Sequence, residues 1–150
     1  MSILLSRSEA HSLIWNALTG SGTSPENADY FTQAILDTEL SGLEGHGFYW
    51  LQYYCEHLRS GKVDGRAVPQ IESVSETSFR VDAQHGFAHP AIEAGFKYLI
   101  PAAKAHGVAA MGVYNSYNAA TLGFHTGYLA RAGLLALGAT NAVPNLAPVG

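Results

Sequence analysis

The chain has 150 residues, about the size of one ordinary domain, and a formal net charge of −4 with its histidines counted as neutral. Lysine and arginine form no cluster, so the basic surface that nucleic-acid binding requires is missing, and the acidic balance also disfavours an anionic membrane surface. Charged residues make up 13% of the chain, against a usual fraction of about 25%, which indicates that part of the surface meets another domain or subunit.

Cysteine content and hydropathy predict an intracellular, cytoplasmic protein. The single cysteine, Cys55, cannot form an internal disulfide. Its place on an apolar helical stripe favours a packing role over a catalytic thiol. The first residues carry no long apolar segment, so no signal peptide is predicted. No apolar run approaches the ~20 residues of a membrane-spanning helix.

Three helices are predicted in residues 1–62, which we interpret as an N-terminal helical region. The first opens with a capping box between Ser6 and Glu9 and ends at a pair of glycines. The second, over residues 25–40, follows a capping serine and begins with proline. The third carries an apolar stripe at helical spacing over residues 48–61.

From residue 63 onward, strands and helices are predicted to alternate. The predicted segments are strand 71–74, strand 78–82, loop 83–90, helix 91–106, strand 108–114, helix 122–132, strand 134–140 and loop 141–150. Pro101 should kink or divide its helix. The last strand–helix–strand succession predicts a β-α-β unit in a sheet covered by helices. We therefore predict an α/β fold in which 63–150 begins the α/β domain.

Several common catalytic motifs are absent from the sequence. There is no glycine-rich Rossmann fingerprint after a strand, no P-loop, no Cys-x-x-Cys pair and no nucleophile elbow. His85 and His89 have the spacing of helical metal ligands. Because Gly86 lies between them and Pro90 follows, this pattern favours two loop histidines, and no metal site is predicted.

His46 is the strongest candidate for chemistry. It lies between Gly45 and Gly47, at the junction of two predicted helices. If the third helix starts at Gly47 or Phe48, its positive end disfavours the protonated imidazole. An imidazole whose pKa lies near the working pH can both give and take a proton. Flanking glycines let a ligand approach closely. The residues alone leave two roles open, a catalytic one and a helix-capping or loop one.

A polar segment, residues 115–118, follows the strand predicted at 108–114. Ligands in α/β folds gather beyond the carboxyl ends of strands, so this segment could be a binding loop. It could equally be a strand-to-helix turn in which asparagine and serine act as caps. His125 falls inside the next predicted helix, where a packing role is favoured over a ligand role.

Seven collinear segments carry a resemblance to a known family. They are Glu39-Leu40-x-Gly42-x-x-Gly45-His46-Gly47, Tyr54-x-x-x-Leu58-Arg59-Ser60-Gly61, Val81-Asp82-Ala83-x-x-Gly86, Val113-x-Asn115-Ser116, Leu129-Ala130-x-Ala132-Gly133-Leu134, Thr140-Asn141-Ala142-x-Pro144 and Ala147-Pro148-x-Gly150. Together they resemble the malate/L-lactate dehydrogenase family. The resemblance implies a non-Rossmann fold, NADH or NADPH as cofactor, and homodimers or larger assemblies. It covers nearly all of this chain and less than half of a typical member, so we expect a truncated N-terminal portion that is inactive alone.

The resemblance also implies roles for particular residues. His46 matches the family's proton donor. The cofactor-contacting stretch corresponds to Asn118, Ala119, Ala120, Thr121 and Leu122.

Three positions depart from the family pattern. Gly45 replaces a serine, Trp50 replaces the arginine that grips the substrate carboxylate, and Asn118 replaces an acid/base histidine found in many members. An indole cannot form a bidentate guanidinium clamp. The changes at the substrate positions Trp50 and Asn118 therefore favour a substrate that is held differently.

Two functions follow as hypotheses. The first is hydride transfer between NAD(P)H and a small 2-keto or cyclic 2-imino acid, or the reverse on a 2-hydroxy acid. The alternative is a non-catalytic binding or assembly module that keeps the fold and has lost catalytic residues. A small carboxylate is the expected partner, with neither nucleic acid nor membrane.

Overall fold

The computed structural model describes residues 3–141, apart from the side chain of Glu44. Its elements in chain order are α1 (Arg7–Gly20), α2 (Pro25–Leu40), a 3-10 turn (Glu44–His46), α3 (Phe48–Arg59), β1 (Gln70–Ser75), β2 (Ser78–Asp82), α4 (Ala88–His106), β3 (Ala110–Tyr114) and α5 (Leu122–Arg131). None of these helices is long and apolar enough to cross a membrane. The loop predicted at 142–150 lies outside the described residues, together with the motif positions that fall there.

The first two helices begin as the sequence predicts. At the start of α1, the Ser6 hydroxyl accepts a bond from the backbone N–H of Glu9, and the Glu9 carboxylate accepts one from the backbone N–H of Ser6. At the start of α2, the Ser24 hydroxyl accepts a bond from the backbone N–H of Asn27. The Trp15 indole donates to the Asp29 carboxylate over 2.8 Å, which joins α1 to α2.

The three strands form one sheet in the order β1-β2-β3. β1 pairs antiparallel with β2, and β2 pairs parallel with β3. α4 makes the crossover between the two parallel strands. It lies close against the sheet at Gly95, where an added Cβ would overlap the Met111 side chain and come within 3.0 Å of Val81. Only glycine allows this approach between helix and sheet.

The predicted β-α-β unit is wrong in its position. The unit that forms is β2-α4-β3, and residues 134–140 are not a strand within the described part of the chain. Their exposure still alternates. Leu134 and Ala136 pack against a cluster of buried residues that includes Ile92 and Phe96 of α4, whereas Leu135 and Leu137 are fully exposed. A strand also needs a neighbouring strand to complete its hydrogen bonds, and no described segment pairs with this one.

α4 begins three residues earlier than predicted, at Ala88. Pro90 therefore lies in its first turn, where proline is tolerated because the N–H groups there have no partner in the helix. The predicted break at Pro101 does not divide the helix, which continues to His106. Gly107 ends it in the left-handed conformation with φ of 85°.

The main core lies among α1, α2 and α3, and α2 is its centre. The fully buried Phe31 ring is 4.9 Å from Tyr54, 4.4 Å from Phe87 and 4.3 Å from His89, measured between ring centroids. α2 thus packs against both α3 and the segment that leads into α4. Cys55 is buried in the same core, in agreement with its predicted packing role.

Candidate functional site

His46 is the last residue of the 3-10 turn and directly precedes Gly47, the N-cap of α3. The predicted junction between two helices is therefore confirmed. The backbone N–H of His46 donates to the Leu43 carbonyl over 2.8 Å, while the imidazole is exposed. At Gly45 the place where a Cβ would project is open. A ligand can therefore approach His46 from this side.

Glu39, at the end of α2, contacts the start of α3, the helix that follows His46. Its carboxylate accepts a 2.9 Å hydrogen bond from the backbone N–H of Phe48, the first residue of α3. A Cβ at Gly47 would overlap this carboxylate, so glycine leaves room for the bond. An anionic group stabilises the positive end of a helix. Glu39 thus fixes the start of α3 beside His46, a role that sequence reasoning did not assign to it.

The neighbouring residue, Thr38, contacts the second candidate segment. Its buried hydroxyl lies 3.0 Å from the hydroxyl of Thr121, directly before α5, and donates to Ala34 within α2. The last turn of α2 therefore contacts the start of α3 through Glu39 and the segment 118–122 through Thr38. This turn is the structural link between the predicted proton donor and the predicted cofactor segment.

The loop between β3 and α5 is tightly folded, as a strand-to-helix turn would be. Asn115 and Ala120 adopt left-handed backbone conformations with φ of 49° and 50°. The Asn115 amide donates to the Asp82 carboxylate, and the Asn118 side-chain oxygen accepts from the Ala120 N–H over 2.7 Å. The capping role that the sequence left open for these asparagines is present.

Tyr117 points from this loop into the core. Its hydroxyl lies 2.5 Å from Nδ1 of His57 on α3, and its backbone bridges to Phe87. Burial raises the pKa of the Tyr117 phenol. Tyr117 therefore ties the loop to α3.

The start of α5 leaves backbone donors free. Thr121 is its N-cap, but the Thr121 side chain makes no capping bond and faces Thr38 instead. The N–H groups of Leu122 and Gly123 lie in the first turn, where they have no partner in the helix. Gly123 is exposed with open space around it. Small side chains at Ala119 and Ala120 complete an unobstructed helix start.

The two histidines that were considered as metal ligands lie in different surroundings. His85 is exposed in a turn, as predicted, with φ of 61°. The prediction of a loop position is wrong for His89, which is buried in the first turn of α4, because Pro90 lies within that turn and does not stop the helix. His125 is buried in α5, which agrees with its predicted packing role. Within residues 3–141 no group of three or more potential ligand side chains could hold a metal ion.

A groove of about 630 Å³ runs along α3 beside α1. Its lining residues are Ala17, Phe48, Tyr49, Leu51, Gln52, Cys55, Glu56 and Arg59. The lining includes none of the predicted site residues. The groove is open and shallow, whereas the candidate site is defined by the polar contacts at the end of α2.

The buried histidines predict acid-labile packing. Burial and the nearby His125 hold the pKa of His89 well below its usual 6.5, and burial lowers that of His125. The unfolded chain therefore binds more protons than the folded one once the pH falls below about 6.5. We expect the free energy of unfolding to fall by about 1.4 kcal/mol per histidine for each pH unit below that point, until the folded pKa is reached. Urea unfolding at a series of pH values measures this slope.

The matched variants are His89→Phe, which removes one titrating group, and His106→Gln, which removes an exposed histidine. His89→Phe should reduce the dependence of the free energy of unfolding on pH. His106→Gln should leave that dependence nearly unchanged. An acid slope that His89→Phe does not change would show that other groups cause the acid lability.

Comparison with known proteins places the chain in a family. A profile of the malate/L-lactate dehydrogenase family matches residues 5–150. The (2R)-3-sulfolactate dehydrogenase (NADP(+)) of Chromohalobacter salexigens is 37% identical over 150 residues, which is 100% of this chain and 45% of that enzyme. The Delta(1)-pyrroline-2-carboxylate/Delta(1)-piperideine-2-carboxylate reductase of Pseudomonas syringae is 38% identical over 129 residues, covering 86% of this chain and 38% of that enzyme.

Solved structures agree with this assignment. The delta1-piperideine-2-carboxylate reductase from Pseudomonas syringae superposes with a TM-score of 0.80 at 34% identity, over 83% of this chain and 38% of that one. The malate dehydrogenase from Entamoeba histolytica, at 24% identity, shares the fold with a TM-score of 0.83, over 89% of this chain and 37% of that one. The chain thus spans less than half the length of these relatives. Its fold is the non-Rossmann type that the motifs implied, and the chain belongs to the malate/L-lactate dehydrogenase family.

Proposed function

We propose that the protein is an NAD(P)H-dependent oxidoreductase that reduces a small 2-keto or cyclic 2-imino acid, or oxidises a 2-hydroxy acid. The observation that carries this proposal is the last turn of α2, where Glu39 contacts the start of α3 beside His46 and Thr38 contacts the segment before α5. These two separate parts of the chain would form one site. The dehydrogenase and reductase activities in the relatives' names support the proposed reaction class.

His46 would be the proton donor. A bound nicotinamide would supply hydride to the substrate carbon. His46 would give its proton to the carbonyl oxygen, or to the imine nitrogen, on which negative charge would develop. Its imidazole is exposed and lies two residues before Phe48, whose N–H Glu39 holds, with open space at Gly45. With Gly45 in place of the family serine, the imidazole itself would deliver the proton.

Asn118, Ala119, Ala120, Thr121 and Leu122 would hold NADH or NADPH. The groups present here fit such a cofactor: free backbone N–H groups at a helix start suit the anionic and amide groups of a dinucleotide, and small side chains leave room for it.

Trp50 and Asn118 would contact the substrate. The Trp50 indole is half-buried, with its ring centroid 5.0 Å from Tyr53 and 6.3 Å from Tyr54. An aromatic face offers apolar contact in place of a guanidinium clamp. This exchange favours a substrate that is held by apolar contact rather than by a guanidinium clamp.

The finer organisation is also proposed. Residues 1–62 would form the helical region and 63–150 the start of the cofactor and substrate domain. The low charge content and exposed apolar residues such as Tyr49 and Leu13 support a homodimer or larger homo-oligomer. The single cysteine is consistent with a cytoplasmic location.

Oxidation of NADPH and NADH by the protein from its complete gene tests the proposal directly. The panel is pyruvate, 2-ketoglutarate and the cyclic imines that correspond to proline and pipecolate. We expect turnover of at least one of these with at least one cofactor. Absence of both turnover and cofactor binding would contradict the proposal and support the non-catalytic module, with Trp50 and Asn118 as the structural reasons.

A further inference from the structure

His125 occupies an unusual position for a packing residue. It is the fourth residue of α5 and nearly fully buried. Its ring centroid lies 5.1 Å from His89 on α4, 5.4 Å from Phe124 and 6.3 Å from Tyr30 on α2. Rings from three helices therefore surround the imidazole and limit its movement.

The imidazole makes one hydrogen bond, and that bond goes to the proposed cofactor segment. Nε2 lies 3.1 Å from the carbonyl oxygen of Ala119. Since a carbonyl oxygen can only accept, Nε2 must carry the hydrogen. Burial lowers the pKa of His125, so the ring is neutral and Nδ1 carries no hydrogen. The contact therefore fixes the tautomer.

Packing alone does not account for a histidine here. Nδ1 of His125 is buried without a hydrogen-bond partner among the described residues. Leaving a buried polar atom unpaired reduces the free energy of unfolding by about 1–3 kcal/mol, a loss that a phenylalanine would avoid. A phenylalanine, however, could not donate a hydrogen bond to the Ala119 carbonyl. The bond to the loop is thus what the histidine provides and a phenylalanine would not.

The bond fixes one peptide plane within the segment. In the trans peptide between Ala119 and Ala120, the carbonyl and the N–H point in opposite directions. The carbonyl accepts from His125, and the N–H donates to the Asn118 side chain over 2.7 Å. Ala120 also holds a left-handed φ of 50°, which is unfavourable for a residue with a Cβ. Two side chains therefore hold this plane from opposite sides.

We propose that His125 is a positioning residue for the cofactor site, which orients the Ala119–Ala120 peptide from inside the core without touching the cofactor. This inference rests on the proposed function. It assigns to His125 a role that the family motifs do not. It also explains why a buried polar ring stands directly behind an exposed binding loop.

The test compares three variants of the protein from its complete gene. His125→Phe keeps an aromatic ring and removes the bond to Ala119. His125→Gln keeps a donor at a similar distance along the side chain. His89→Phe replaces the neighbouring histidine, which is equally buried but makes no hydrogen bond among the described residues. The readouts are the Kd of NADPH and NADH from fluorescence titration, kcat, KM and Tm.

Losing one net hydrogen bond predicts a cofactor Kd about 3- to 10-fold higher in His125→Phe. His125→Gln should restore the Kd to within about twofold, and His89→Phe should shift Tm but not Kd. An unchanged Kd in His125→Phe, or an equal rise in both phenylalanine variants, would overturn the inference. If the wild type binds neither cofactor, the proposed function fails and this inference fails with it.

A measurement on the wild type covers the case in which His125→Phe does not fold. Nitrogen chemical shifts of labelled histidine should show the His125 ring neutral, with hydrogen on Nε2, near neutral pH. A ring with hydrogen on Nδ1 would contradict the bond to Ala119 and with it the inference.

Discussion

Replacing His46 with alanine is expected to lower kcat by about 10²-fold or more, the range found when a general acid is lost. His46 is exposed at the end of its turn and is not part of the core, so the variant should fold normally. Hydride transfer would then leave charge on the substrate oxygen or nitrogen without the proton that His46 would supply. The measurement is NAD(P)H oxidation at saturating substrate, with the cofactor Kd determined in parallel. The Kd should remain close to that of the wild type.

His85→Ala is the matched control for this prediction. His85 is also an exposed histidine in a turn, but it lies outside the candidate site, so its loss should leave kcat within about twofold. Added imidazole should restore part of the rate in His46→Ala, because the vacated position is open to solvent. A kcat in His46→Ala equal to that of the wild type would mean that the proton comes from another group.

The N-terminal half of the fold could be predicted because its signals are local. The bonds between Ser6 and Glu9 span one helical turn. Glycine commonly follows the end of a helix because it adopts the left-handed backbone conformation that strains other residues. The place of His46 between two helices follows from the same local rules, since glycines on both sides prevent a continuous helix. For these features the neighbouring residues supply nearly all of the determining interactions.

The polar contacts of the candidate site could not be predicted in this way. The bond from Phe48 to Glu39 spans nine positions, and the contact between Thr38 and Thr121 spans 83. No periodicity connects such residues, because their proximity depends on how α2 packs against the rest of the chain. The bond from His125 to Ala119 is short in sequence, but it requires a buried ring whose surroundings come from three helices.

Two of the errors in secondary structure arise where a local pattern does not by itself determine the element. Residues 134–140 carry the alternation of a strand, but alternation determines only which side chains face the core. The backbone hydrogen bonds must come from a neighbouring strand, and no described residues provide one. At His89 the error was to treat Pro90 as a break. Proline is compatible with the first turn of a helix, and only the start of α4 shows that Pro90 lies there.

Replacing Phe31 with alanine is expected to reduce the free energy of unfolding by about 3–5 kcal/mol, the usual cost of removing a buried phenylalanine ring. Phe31 is fully buried and contacts Tyr54 on α3, Phe87 before α4 and His89 within α4. The cavity would open between α2, α3 and the start of α4. Neighbouring side chains could fill it only if these elements moved. Urea unfolding at neutral pH measures the loss.

Two control variants distinguish the effect of losing side-chain volume from the effect of the place where it is lost. Phe31→Leu keeps most of the apolar volume and should therefore lose distinctly less stability than Phe31→Ala. Tyr98→Ala removes a half-exposed aromatic ring from α4 and should cost under about 1 kcal/mol. Equal losses for Phe31→Ala and Tyr98→Ala would contradict the central place given to α2. Because α2 also carries Thr38 and Glu39, Phe31→Ala should weaken cofactor binding even where the variant remains folded, whereas Tyr98→Ala should not.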